Sequence, residues 1–569
     1  MMPERAAAEK GTETPVQRHE IIHELDGVLI TGETLQNRLG PTPERAGSPR
    51  NQVVTLAFLA SIPGITELLA EALCAETDEP VVLVRFGTSE QGKDGQSLNG
   101  EFHFPPRGIA KVESGFHALT VGVSLQEPPS AAGIVSLITK LSRHFRHVLI
   151  EAEFEQTSKP WLRELLVRSD LAYLFFQPDH AGIAHLKRET EAARLAGGDV
   201  SKLKPVACLS PSRAIDPFDE LAERVNPIHL FIRDCPELGR PAPAPSTALK
   251  RDVRFMARQV SGHLLGLALS SGAAKGFAHI GVIQVLEENG IEVDVAAGSS
   301  MGAYVGSLWA QGNDGQTLEK LARELEGRWT VWSLVDPIFP PRQGFLGGFA
   351  IKRRLMRTLG TARFADLQRP FRVVAANLET LERKVFSSGE VATAVHASIA
   401  VPGICVPVMI DGEAYVDGGI VAPLPVDVLR EMGVTRVIAV DVIPTPDRIR
   451  QGLDAERAVA ARAQRRGIFR RKNPINQQLN YFARGNLFEV LMRSIQGAQI
   501  RIAAASSREA DLVLRPEIRD DRWLDFRTPG KFIQLGREVT ELHLEEIKQL
   551  TRRDARGSAR IKIMKGNGA

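Results

Sequence analysis

No stretch of this 569-residue sequence is apolar for long enough to cross a bilayer, and residues 1–20 hold no apolar block of the kind that precedes a signal cleavage site. Export through a cleaved leader is therefore not expected, and any meeting with membrane is expected from the surface. Cysteine is scarce. Cys74, Cys208, Cys235 and Cys405 stand apart, with neither the pairing of a disulfide framework nor the spacing of a zinc site. A reducing, cytoplasmic compartment and no metal are the expectation. An excess of one charge is lacking too: 71 Lys and Arg face 68 Asp and Glu, for a net charge of +3. That is too mild for a polyanion binder, so nucleic acid is not an expected partner. With 43% hydrophobic and 24% charged residues over this length, the chain has the material for two or three globular domains.

Residues 1–50, rich in Pro, Glu, Arg and Gly, read as an N-terminal tail. Buried-strand patterns follow at 53–59, 81–86, 147–151 and 171–177, interleaved with helical patterns such as 68–76 and 134–144. The alternation predicts a parallel α/β domain over 51–238. Prolines at 241, 243 and 245 stiffen the chain between two patterned regions, and 239–260 is expected to be a linker. A second α/β pattern begins at Leu264 and ends with a strand over 435–442. A polar, Arg-rich interval and a last helix over 537–550 complete a second domain over 261–551, and 552–569 is expected to be a flexible basic tail.

Three short elements of the second domain carry chemistry. Gly298-Ser299-Ser300-Met301-Gly302 is a G-x-S-x-G elbow between a strand-like 293–297 and a helical 303–311. Flanking glycines let the chain turn sharply and hold Ser300 out at a helix start, where N–H groups favour developing negative charge. The bland alternative is a tight turn that happens to hold a serine. Upstream, Ser270-Ser271-Gly272-Ala273-Ala274-Lys275-Gly276 again joins a strand, 264–269, to a helix, 277–289. Small residues there make a nest for an anion, or simply allow close packing of helix on sheet. Third is Tyr415-Val416-Asp417-Gly418-Gly419, a carboxylate that glycines leave uncrowded for accepting a proton, or else a hairpin turn.

In this order the three elements resemble the patatin-like phospholipases. The resemblance runs from about Leu265 to Val442 and includes 267–282, the elbow, Ala397-Ser398-Ile399-Ala400-Val401-Pro402-Gly403 and Val416-Asp417-Gly418-Gly419. It is similar to the family's bacterial branch related to neuropathy target esterase. The resemblance implies a patatin-type three-layer α/β/α sandwich preceded by a degenerate P-loop-like α/β domain. It also implies a Ser-Asp dyad, with Ser300 as nucleophile and Asp417 as base, and an oxyanion hole made by the amides of Gly272 and Ala273. Ser271, Lys275, Gly276, Gly298, Gly302, Gly418 and Gly419 would support the motifs. A histidine stands at the place of His279 in the family as a structural element, so His279 and His396 are expected to pack or hydrogen-bond rather than to act as the base. After Gly419 many members have asparagines, where this chain has Val421-Ala422.

The implied activity is hydrolysis of fatty-acyl esters of phospholipids through an acyl-enzyme, without a cofactor. A carboxylesterase or thioesterase acting on soluble acyl compounds, and a weakly active lipid-binding scaffold, are the alternatives. In the first domain, residues 53–179 look like a worn P-loop fold of the ParA/MinD type. Ser61-Ile62-Pro63-Gly64-Ile65-Thr66 lacks the phosphate-binding lysine, and Glu151 keeps only the look of a metal ligand, so nucleotide hydrolysis is not expected. The run Arg465-Arg466-Gly467-Ile468-Phe469-Arg470-Arg471-Lys472 is the candidate for peripheral contact with anionic membrane.

Overall fold

Two eight-stranded sheets, both mainly parallel, make up the frame of the computed structural model. It describes residues 52–552 except 60–61, 63, 89–108, 124–128, 154–159, 211–227, 237–243, 327–334, 341–342, 446–449, 451–486 and 519–525. The two tails and the basic run at 465–472 lie outside the described residues.

The first sheet is built from β1 (Gln52–Phe58), α1 (Ile65–Thr77), β2 (Val81–Thr88), β3 (Ala110–Lys111), β4 (His117–Val123), α2 (Ala131–His144), β5 (His147–Glu153), α3 (Pro160–Arg168), β6 (Leu171–Phe176), α4 (His180–Leu195), β7 (Leu203–Cys208) and β8 (Leu230–Ile232). Its order is β3-β4-β2-β5-β1-β6-β7-β8, and every pairing but β3 with β4 is parallel. Apolar runs such as Val53–Phe58 and Ala172–Phe176 are buried throughout, as strands covered on both faces must be.

A helix follows, α5 (Thr247–Val260), and it revises the expected linker at 239–260. Ser246 caps it by accepting from the Leu249 N–H at 3.0 Å, and Leu249, Val253, Met256, Ala257 and Val260 form its buried stripe. Those residues share one core cluster with Leu56 and Leu69 from the first sheet's layers and with Ala268, Val295 and Val426 from the second's. The segment between the sheets is therefore part of a common core.

The second sheet comprises β9 (Leu265–Leu269), α6 (Ala278–Glu288), β10 (Val295–Ser299), α7 (Met301–Ala310), α8 (Gly315–Arg323), α9 (Phe349–Leu359), β11 (Phe371–Asn377), β12 (Arg383–Phe386), α10 (Val391–Ser398), β13 (Val408–Ile410), β14 (Glu413–Asp417), α11 (Val426–Glu431), β15 (Arg436–Val440), α12 (Leu487–Ser506), β16 (Leu512–Leu514), α13 (Pro529–Leu542) and α14 (Leu544–Thr551). Strand order is β13-β14-β11-β10-β9-β15-β16, with β12 pairing β11. The sheet extends past the strand expected over 435–442, because β16 adds in parallel to β15. The last helix begins at Pro529, eight residues before the expected start, and breaks at His543. Helices α6, α7 and α13 cover one face over a core that includes Leu267, Phe277, Ile283, Trp309 and Phe532.

Candidate active site

Central strands β9 and β10 run parallel, and each ends in a turn that opens a helix, so both turns emerge at the same edge of the sheet. The elbow needs its glycines for space. A Cβ on Gly298 would run into the Gly302 carbonyl, and one on Gly302 would run into the carbonyl of Leu269 at the end of β9. The two turns are thus in backbone contact. Between the glycines Ser300 takes φ 52° and ψ −118°, a strained conformation for a residue with a Cβ and the mark of a side chain held to a task.

Antiparallel β14 ends in Asp417, whose pairing with Ala375 of β11 brings its carboxylate to the elbow. The Ser300 hydroxyl donates to Asp417 Oδ2 at 2.7 Å, and the Gly419 N–H donates to Oδ1 at 2.7 Å. Asp417 is 4% exposed and Ser300 8%. Burial pushes the pKa of the Asp417 carboxyl up to about 6, against the opposing pull of the bonds from Ser300 and Gly419. A carboxylate poised there is basic enough to take a proton near neutral pH.

The first turn closes the arrangement. Gly272 leads into a 3-10 turn over Ala273–Phe277, and Ala273 has φ 46°. A Cβ on Gly272 would strike the Val442 side chain, one on Gly276 would strike Met301, and one on Gly419 would come within 3.0 Å of Ser271 Oγ. Ser271 donates its N–H to the Pro423 carbonyl at 2.8 Å. The N–H groups of Gly272 and Ala273 have no acceptor among the described residues. Lys275 is half-buried on the same turn. Every residue singled out in the three motifs therefore lies in one cluster of turns.

Neither histidine bonds to Ser300. His279 is fully buried and donates from Nε2 to the Ser270 carbonyl at 2.9 Å, and burial lowers its pKa to about 4. His396 is likewise lowered to about 4 by burial and lies beside Gly348. The segment after Gly419 holds itself by backbone bonds, since Val421 and Ala422 both donate N–H to the Gly418 carbonyl.

Ser398 lies in the 397–403 segment that carries the family resemblance, but the sequence assigns it no role in the site. Its hydroxyl, fully buried, donates to the Val374 carbonyl at 2.6 Å and accepts the Ser300 N–H at 2.9 Å. It therefore ties the strained elbow to β11. The resemblance marks the segment, and only tertiary contact shows what its serine does. Helix α12 also approaches, with Gln499 beside Gly419 and Leu491 beside Gly403.

At the crest of the first sheet, Thr66 donates to Glu151 at 2.7 Å and Arg85 donates to the same carboxylate at 2.9 Å, while also pairing with Glu67. Glu151 is thus engaged by the protein's own hydroxyl and guanidinium.

A family model described as Patatin-like phospholipase matches residues 267–430. Lysophospholipase NTE1 of Pyricularia oryzae is 31% identical over 209 residues, 37% of this chain and 14% of that protein. Lysophospholipase NTE1 of Saccharomyces cerevisiae is 28% identical over 299 residues, 52% of this chain and 17% of that protein. The chain thus spans less than a fifth of the length of these two relatives. Among solved structures, a ParA family ATPase from Chlorobium tepidum TLS is similar at 13% identity, over 37% of this chain and 98% of that one, with a TM-score of 0.30, too low to bear on fold or function. Motifs, matched segment and relatives agree that residues 267–430 are a patatin-like phospholipase domain, related to neuropathy target esterase through the NTE1 lysophospholipases.

Proposed function

We propose that the chain is a serine acyl-ester hydrolase of phospholipids and lysophospholipids, with Ser300 as nucleophile, Asp417 as base, and the Gly272 and Ala273 amides as oxyanion donors. The observation that carries this reading is the 2.7 Å bond from the Ser300 hydroxyl to a buried carboxylate whose pKa is raised to about 6. Asp417 takes the Ser300 proton as the oxygen attacks the ester carbonyl, and two free N–H groups receive the charge that develops on the carbonyl oxygen. The proton passes to the departing glycerol oxygen, leaving an acyl-serine. Water then attacks that ester, gives its proton to Asp417, and the fatty acid departs as Ser300 recovers its hydrogen. A fluorophosphonate probe tests the nucleophile directly. One adduct is expected, on the peptide containing Ser300, and none on Ser300→Ala; an adduct on another residue that tracks loss of activity would replace the assignment.

The same reading sets this site against a lipid surface, as a peripheral protein on a cytoplasmic membrane face. Ile338, Phe339, Phe349 and Leu491 are exposed, Phe339 to 94%. They belong to segments joined around the site: Ile338 N–H donates to Phe345, Phe345 and Leu346 donate to Ile404, and Leu491 lies against Gly403. Large apolar side chains left exposed on linked segments favour insertion into a headgroup layer. Replacing both Phe339 and Leu491 by serine is expected to lower hydrolysis of vesicle-borne substrate by about tenfold and to spare a short soluble ester. An equal fall on both substrates would remove the membrane contact from the proposal.

A further inference from the structure

A cleft of about 880 Å³ opens between the layers of the two sheets, lined from α4 and β7 on one side and from β11, β12 and α11 on the other. None of the residues around Ser300 lines it. Five cations do, Lys187, Lys204, Arg372, Arg383 and Lys384, against two carboxylates, Glu191 and Glu431. Both acids are already engaged: Glu431 pairs with Arg383, and Glu191 with Arg194 outside the cleft. Lys187, Lys204, Lys384 and Arg372 form no ion pair with a carboxylate among the described residues.

Arg372 is the least expected of them, being only 4% exposed. A buried guanidinium normally keeps a counter-charge, because removing its hydration is expensive. Here its N–H groups go to neutral carbonyls, those of Phe371, Ile228 and His229, at 3.0, 2.7 and 2.6 Å. Burial pulls its pKa down to about 9. Lys204 donates to the Glu431 carbonyl at 3.0 Å; burial lowers its pKa, against the pull of the Glu431 and Asp199 carboxylates, and the charge of Arg372 acts in the same sense as burial. A clamp between the layers would account for Arg372 alone. It would not account for three lysines gathered with it on an open cleft, where like charges repel and need a counterion.

We propose that this cleft binds a small, multiply charged anion of the phosphate type, gripped by Lys187, Lys204 and Lys384 and attracted by the field of Arg372. The test uses the full chain at low salt. Inorganic pyrophosphate is titrated by calorimetry into the wild type, into the double variant Lys204→Met and Lys384→Met, and into Lys111→Met, which removes a charge from β3 outside the cleft. Methionine keeps the apolar stem, and thermal melts check that each variant is folded. The wild type and Lys111→Met are expected to bind one pyrophosphate per chain, and the double variant to bind at least about tenfold more weakly. A parallel arm uses vesicles containing phosphatidate: a difference between proteins confined to that arm assigns the phosphate to a lipid headgroup. Absence of binding in both arms, or equal binding by wild type and double variant in both, overturns the site.

Discussion

Asp417→Asn is expected to lower kcat/KM for ester substrates by about 10³-fold or more and, at pH 8, to make the protein more stable. The loss follows because an amide cannot take the Ser300 proton, and no histidine among the described residues bonds to Ser300 in its place. The gain follows from the same burial that raises the Asp417 carboxyl. Its carboxyl is raised from the ordinary 3.8 to about 6, so the native state binds the proton more tightly than the unfolded chain. A raised carboxyl contributes stability that is fully present below about pH 3.8 and is lost as pH rises through 6. At pH 8 the native state holds an ionised, desolvated carboxylate. A rise of that size corresponds to about 3 kcal/mol, and replacing hydrogen bonds imperfectly leaves an expected gain of about 1–2 kcal/mol for the asparagine variant. Urea melts should show the variant ahead at pH 8 and about 1–2 kcal/mol behind the wild type at pH 4, where the wild-type carboxyl is protonated and only the poorer hydrogen bonding of the amide remains. Ser300→Ala should match its loss of turnover, since the two act as a unit. For the wild type, kcat/KM should fall about tenfold for each pH unit below 6. A profile flat through that range, or an asparagine variant within tenfold of the wild type, would take Asp417 out of the proton transfer.

Much of this site is legible in sequence because the backbone of a G-x-S-x-G elbow imposes local rules. Gly298 and Gly302 are required by backbone contacts that any G-x-S-x-G elbow must make, and the strand before and helix after it follow from hydrophobic pattern. Boundaries move for a physical reason. The strand expected over 293–297 runs over Val295–Ser299, since Gly298 and Ser299 still pair with β9 or β11 before the chain turns. Ser398 and Gln499 reach the site from α10 and α12, far along the chain; the first lies in a family-like segment without an assigned role and the second in no motif, because the role of each is set by what folds against it.

The interval after 442 is polar and Arg-rich in sequence, yet it supplies β16 and α12. β16 is three residues long, and its pairing with β15 is a long-range matter. Helix α5 shows the opposite case. Its N-cap serine and its stripe at 249, 253, 256 and 260 are present in sequence, but the prolines before it draw the expected boundary past it. The first sheet is legible in its central strands β1, β2, β5 and β6, which are mostly apolar. It is illegible at β3, β4 and β8, which are short or alternate with polar residues as edge strands do.

Gly281→Leu is expected to unfold the protein or to destabilise it by about 4 kcal/mol or more. Gly281 lies in α6, just beyond the turn that holds Gly272 and Ala273, and α13 crosses it at backbone contact. A Cβ on Gly281 would run into the carbonyl oxygen of Ile533 and come within 2.7 Å of the Arg537 nitrogen, and one on Gly536 would run into the Ala278 carbonyl. No rotamer can relieve a clash with backbone, so the helices must part. Parting them uncovers Phe532 and Ile533 and breaks the paired bonds from Arg537 to Glu288 at 2.7 Å. Helix α13 also packs on the Ala273–Phe277 turn, so the turn proposed to supply the oxyanion donors loses its support with it. The segment matching the family ends at 430, yet α13, about a hundred residues later, is thus required for the site that segment carries. Gly497→Ala provides the contrast: on α12 an added Cβ meets nothing within 4 Å, and the change should raise stability by about 0.5–1 kcal/mol through helix propensity. Thermal melts and turnover on a soluble ester read both variants. A Gly281→Leu protein that melts with the wild type would show that α6 and α13 can separate at no loss, and that the site stands without its C-terminal helix.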